Sequence, residues 1–475
     1  MVETRHHEIL PFDGVPDLTR PRLVGIGGAG MSGLARLLVA RGSEVSGSDL
    51  RAGAITETLA TVRCTVHVGH RADSVGEPTA VVWSSGIAPD NVEIAHAVEL
   101  GLPVLHRSQA LGHLLAQAAT SVVVAGTHGK STTTAMLGTM LGHLGASWVG
   151  GGALVGGENA HAGHGGILVA EGDESDRTLV QYRPDVAVVL NVDDDHPETY
   201  VDRDDVLDVF ETFAGNSAHL VVSADDEGAR LLTERVRARS GLAVTTVGKT
   251  PGTDFRVISV EARGEGSRVV VREPGGAEAV LTVPVPGRVN ALNAAVAYAC
   301  GRVLDADHRP LLDALAAFPG VQRRMTPVGT GEESGITVRD SFAHHARAVE
   351  ADIATGRELA SGRVIVVFEP SGGARTLAHG EEIGRALAAA DEVVLLDVHS
   401  LVGTATSDGV TSDRIAAAVA EHGGRVTVVR EHAQAVGVVR ALVGPGDLVI
   451  TMGTGEVTAL GPQILALDGA AVLAS

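Results

Sequence analysis

Residues 122–137 read VVVAGTHGKSTTTAML, and the order of residue types in this stretch decides how the chain is read. Three valines make a short buried strand, glycines 126 and 129 open a tight loop, and Lys130, Ser131 and Thr132 begin a helix. A strand, a glycine loop and a helix N-terminus in that order turn backbone N–H groups and the positive end of a helix dipole toward an anion. Of the 37 basic residues only Lys130 and Lys249 are lysines. An ammonium is a compact point charge that fits within a ring of amides around a phosphate, whereas a guanidinium is a wide planar fork. The stretch therefore predicts a phosphate-binding loop in which Lys130 bridges β- and γ-phosphates and the Ser131 hydroxyl ligates Mg2+. Val124 stands where GxxxxGK[ST] begins with glycine, so the loop is a shortened variant. The plain alternative, a tight turn capped by Ser131 or Thr132, leaves the rare lysine without a purpose.

A nucleoside triphosphatase also needs carboxylates for its metal. Two neighbouring strand patterns deliver them at their C-terminal ends, the edge where open α/β sheets bind ligands. ILVAEGDESD ends in Glu171, Asp173, Glu174 and Asp176, and VAVVLNVDDDH ends in Asp193, Asp194, Asp195 and His196. Both clusters are expected at the metal. Nearer the N-terminus, GIGGAGMSG (25–33) carries G-x-G-x-x-G in two registers, with Asp49 further on. That turn seats a diphosphate on a helix start. A nicotinamide dinucleotide fits it, but a second nucleotide loop downstream favours a diphosphate-bearing substrate such as a nucleotide sugar.

With 475 residues the chain is too long for one core. Hydrophobic residues make up 44% and aromatics 3%, which implies a globular protein with an aliphatic interior. A net charge of −21 argues against holding nucleic acid by bulk electrostatics. Two cysteines, Cys64 and Cys300, fit a reducing compartment. Residues 1–12 lack a basic segment followed by an apolar one, and no apolar run approaches membrane-spanning length, so a cytoplasmic chain without membrane attachment is expected. Short β-branched runs alternate with Ala/Leu-rich helical segments, the pattern of parallel α/β sheets covered on both faces. The run 255–285 alternates between turn signals and reads as antiparallel.

The motifs GIGGAGMSG, SSGIAPDN (84–91), GTHGKSTTT, EGDESD, NVDDDH, GRVNALNAA (287–295), QRRM (322–325), DSFAHH (340–345) and TMGTGE (451–456) come in the order found in the Mur ligases, which the chain resembles over nearly its whole length. The resemblance implies three α/β domains: a Rossmann-like domain for a UDP-sugar at 1–118, a central P-loop ATPase-type domain at 119–325 and a Rossmann-like C-terminal domain at 326–475. It implies an ATP- and Mg2+-dependent ligase that activates the carboxylate of UDP-N-acetylmuramate as an acyl phosphate, which the amine of L-alanine or another small amino acid attacks. A monomer or homodimer is expected. Gly126, Thr127, Gly129, Lys130, Ser131 and Thr132 would hold ATP, with Asn290 and Asn293 at the adenine and Arg324 and Asp340 at its ribose or phosphates. Ser131, Glu174 and His196 would hold the metal. Gly28, Ala29, Gly30, Met31, Ser32, Asp49, Ser84, Ser85, His128, Ser175 and Asp176 would meet the UDP-sugar, and His344, His345 and Arg375 the amine side.

Departures from the family pattern cluster. GRHN reads GRVN, with Val289, and HHPTE reads HHARA, with Ala346 and Ala348. FQPHxYxRT reads FEPSGGART (368–376), and His399 replaces a later tyrosine. Arg375 is then the one arginine of that motif left to hold an amino-acid carboxylate, and Gly372 and Gly373 are expected to loosen the pocket. Two other readings follow: a paralogue that ligates another amine or peptide, and a catalytically quiet nucleotide-binding regulator.

Overall fold

The computed structural model describes residues 14–88, 90–239, 241–399 and 409–466; the leaderless reading of residues 1–12 lies outside them. Three sheets organise the chain. The first is wholly parallel, with strands in the order Thr65–Val68, Ser46–Asp49, Pro21–Val24, Ala80–Trp83 and Val104–His106. The second has ten strands and contains Thr120–Ala125 between Val186–Val189 and Ile167–Glu171, all parallel. At its far edge Phe255–Arg263, Gly266–Arg272 and Glu278–Val283 form the expected antiparallel meander. The third runs Arg324–Thr330, Thr337–Ser341, Leu448–Gly453, Val364–Glu369, Glu392–Leu395 and Val426–Val428. Only its first pair is antiparallel. The first of these strands begins at Arg324, which pairs with Ser341, and Met325 follows at a bulge in the ladder.

The strand Thr120–Ala125 shows why β-branched runs end up here. Val122 and Val124 pack with Ala135, Met136 and Ala294 on one face, while Val123 and Ala125 pack with Leu179 and Phe210 on the other. A strand covered on both faces tolerates no alternation of polar residues. Each fully buried valine there contributes about 1.5–3 kcal/mol, so the strand is a rigid platform for the loop it feeds. No helix among the described residues is long and apolar enough to cross a membrane. Cys64 and Cys300 are both buried and free.

Candidate active site

The loop after Thr120–Ala125 is built as the sequence predicts. Gly129 takes φ +85° and caps the helix Lys130–Met140. A Cβ on it would stand 2.9 Å from Asn293 Oδ1, so buried Asn293 lies directly against the loop. Asn191 clamps the turn: its Oδ1 accepts the His128 amide at 2.7 Å and its Nδ2 donates to the His128 carbonyl at 3.0 Å. Thr127 Oγ1 accepts the Asp193 amide at 2.9 Å. Lys130 Nζ donates to the carbonyl of Gly126 at 2.7 Å and to Glu174 Oε1 at 2.8 Å. Burial alone would lower the lysine's proton affinity, but Glu174, Asp173 and Glu171 outweigh it and raise the pKa, so the ammonium stays charged.

Ser131 Oγ donates to Glu171 Oε1 at 3.0 Å, and Glu174 Oε2 is buried without a hydrogen-bond partner. The orphaned Glu174 oxygen and the Ser131 hydroxyl are oxygen donors of the kind Mg2+ takes, and they are what fits that ion here. His196, at φ +59°, lies near enough to Glu174 for each to shift the other's proton affinity. Burial lowers the pKa of His196, but Glu198 at 3.2 Å and Asp195 win and raise it.

Asp193, Asp194 and Asp195, expected at the metal, each reach the C-terminal domain. Asp193 Oδ2 accepts from Arg347 at 2.7 Å, the Asp194 carbonyl meets His345 Nε2 at 3.2 Å, and Asp195 Oδ1 takes Nε and Nη2 of Arg375 at 3.0 and 2.8 Å. Arg375, expected at the amino-acid carboxylate, thus has one edge of its fork on a buried carboxylate of the central domain and clasps the two domains together. Gly372 and Gly373 do not loosen their loop either. The Gly372 amide donates to the His399 carbonyl at 3.0 Å, and Ser371 Oγ lies 2.6 Å from Thr454 Oγ1. Asp340 is satisfied from within by Thr451, Thr458 and, at 3.3 Å, Arg323. Arg324 instead lies over the ring of Phe342, 5.2 Å from its centroid. Asn290 Nδ2 donates to the Pro286 carbonyl at 2.7 Å. His344 sits behind Phe342, its pKa pushed down to about 3 by burial and by Arg375.

At the first sheet, Gly28 and Ala29 are exposed at the start of the helix Ala29–Ala40, and Gly30 is half-buried against Arg107. Asp49 Oδ2 accepts the Gly27 amide at 2.9 Å. Met31 and Ser32, expected at the UDP-sugar, have buried side chains, Met31 in the domain core and Ser32 under Asn159 of the central domain. Ser85 Oγ donates to Asp176, and His106 and Arg107 approach Asp176 and Asp173 at 3.6 and 3.4 Å. Ser84 and Ser175 flank this seam; the Ser175 amide donates to Asp173 at 3.0 Å and its carbonyl accepts from Thr199. Asn191, Asn159, His106 and Arg107 escaped sequence reading because their roles need a partner from another loop. Only Asn191, next to the acidic strand end, carried a positional hint.

Three family models divide the chain: "Mur ligase family, catalytic domain" at residues 21–119, "Mur ligase middle domain" at 124–301 and "Mur ligase, glutamate ligase domain" at 323–455. The chain belongs to the Mur ligase family. It is 46% identical to the UDP-N-acetylmuramate–L-alanine ligase of Streptomyces avermitilis, over 95% of this chain and 98% of that one. Among solved structures, the UDP-N-acetylmuramate-alanine ligase of Thermotoga maritima matches with a TM-score of 0.78 at 26% identity, over 94% of this chain and 98% of that one. A murein peptide ligase from Psychrobacter arcticus shares the fold, with a TM-score of 0.70 at 23% identity over 94% and 98%.

Proposed function

We propose that this chain is an ATP- and Mg2+-dependent amide ligase that joins L-alanine to the carboxylate of UDP-N-acetylmuramate, a cytoplasmic step of peptidoglycan precursor synthesis. The observation that carries the reading is the phosphate loop with its charged Lys130 beside Ser131 and the orphaned Glu174 oxygen, set between two docked domains. The identity to the Streptomyces avermitilis relative, spread over nearly the full length, supports the same substrates.

The loop amides and the Lys130 ammonium hold the terminal phosphoryl of ATP, where positioning and cationic clamps do most of the work of phosphoryl transfer. Ser131, Glu174 and His196 would hold Mg2+, which when bound would supply positive charge to the phosphate oxygens. The sugar-borne carboxylate enters from the first domain, whose exposed helix start at Gly28 and Ala29 suits the diphosphate. Attack on the phosphoryl gives an acyl phosphate and ADP; the neutral amine then displaces phosphate to leave the amide. His345, kept neutral by burial with its pKa lowered, stands on the C-terminal side where the amine arrives.

Phosphate release with UDP-N-acetylmuramate, ATP and Mg2+, run across a panel of amino acids with mass detection of product, tests this. Release should depend on L-alanine and yield the amide. Release with no amino acid in the panel, or only with a peptide, would sink it. Lys130→Ala should abolish turnover, and activity within a few fold of the wild type would remove the lysine from the reaction.

A further inference from the structure

We propose that His128, Asp193 and His345 form a second metal site, which takes a transition ion of the Zn2+ class and ties the C-terminal domain to the phosphate loop. Each residue offers one ligand atom, and the three atoms lie within 4.8 Å of one another. His345 is only 5% exposed. Its Nε2 donates to the Asp194 carbonyl at 3.2 Å, which leaves the lone pair on Nδ1, and Nδ1 is buried without a partner. A hydrogen bond that sets the tautomer of a ligating imidazole is a regular outer-shell feature of metal sites. His128 Nε2 is likewise buried without a hydrogen-bond partner, 3.7 Å from Asp193 Oδ2, and the two imidazole rings stand 4.7 Å apart. A buried nitrogen with no partner, next to a second whose one answer is a carboxylate at 3.7 Å, is costly unless something more meets them.

The donor chemistry selects the ion. Two imidazoles and a carboxylate suit Zn2+ or Co2+, whereas Mg2+ prefers an octahedron of oxygens. Arg347 bonds Asp193 Oδ2 and Asp226 Oδ2 at 2.7 and 3.1 Å, which holds the carboxylate in place beside His128. His379 stands 5.9 Å ring to ring from His345 with its Nε2 also unpartnered, so a fourth donor, a third nitrogen, is close by. The site shares no residue with Ser131, Glu174 and His196. His128 belongs to the phosphate loop and His345 caps the helix Ala346–Leu359 of the C-terminal domain. A bridging ion therefore holds the domains closed and slows a reaction whose products leave by opening. Metal binding stands without the proposed reaction; only the inhibition rests on it.

The test titrates Co2+ and Zn2+ into tag-free full-length protein in a large excess of Mg2+, following the visible absorption of Co2+ and equilibrium dialysis of Zn2+. One ion per chain is expected. His345→Gln and Asp193→Asn should each weaken Zn2+ binding by about a hundredfold, while His196→Gln and the exposed His164→Gln leave it unchanged. Circular dichroism shows that each variant is folded, and return of the cobalt spectrum after chelation and reloading separates lost ligands from lost structure. Absence of binding in the wild type would overturn the proposal, as would equal affinity in His345→Gln and Asp193→Asn. Binding lost in His196→Gln would also overturn it, since the ion then occupies the magnesium site.

Discussion

Gly129 concentrates the residue-scale argument. Its φ of +85° is left-handed, and a methyl there would meet Asn293 Oδ1 at 2.9 Å and Leu190 Cδ1 at 3.1 Å. Gly129→Ala should therefore cost about 1–2 kcal/mol of backbone strain and displace the loop. The expected outcome is a folded protein whose ATP affinity, read by calorimetry, falls by more than tenfold; unchanged affinity would mean the loop is not the nucleotide site. The same local chemistry made this residue legible beforehand, since a glycine before a rare lysine at a helix start has few other uses. Asn191 was not legible, because a bidentate clamp on the His128 backbone depends on the neighbouring strand bringing it within 3 Å.

At the scale of elements, the loops leaving adjacent parallel strands do the work, and the seam between first and central sheets is an example. His106 ends the strand Val104–His106, is buried at 1% exposure, and has Ser85 Oγ at 3.1 Å and Ser108 Oγ at 2.8 Å on its two nitrogens. Burial pushes its pKa down to about 4, against an opposing pull from Asp176. From pH about 6.5 down to about 4 the unfolded chain gains a proton that the folded chain refuses, so stability falls with falling pH across that window, by up to about 3 kcal/mol. In urea melts between pH 7 and 4.5, His106→Gln should show a shallower acid loss than the wild type. Parallel slopes would mean the seam stays closed without the imidazole's neutrality. Strand and helix identity here followed from β-branched runs and Ala/Leu segments. The use of Asp193, Asp194 and Asp195 did not, because an acidic strand end looks the same whether it meets a metal or an arginine.

Across the whole molecule, closure of the third domain onto the second rests on side chains far apart in the chain. Asp195 and Arg375 are both about 6% exposed and joined by two hydrogen bonds to one oxygen. Removing one partner strands a buried charge, so Arg375→Ala should favour an open arrangement. Small-angle scattering should show a larger radius of gyration for the variant, with kcat and the KM for each substrate rising or falling together as domain closure is lost. A KM change confined to the amino acid would return Arg375 to the carboxylate. A double-mutant cycle with Asp195→Asn should give a coupling of about 1–3 kcal/mol.

The amino-acid sequence by itself determined the three α/β units, the glycine loop and helix start at Gly126–Ser131, and the family, because each depends on periodicity or on residues adjacent in the chain. Only the tertiary structure decided which charges meet. It set Arg375 on Asp195, buried Met31 and Ser32, and gathered His128, Asp193 and His345 from two domains. Hydrogen bonds and ion pairs act over a few ångströms of space, and separations of up to 217 residues along the chain carry no sign of that proximity.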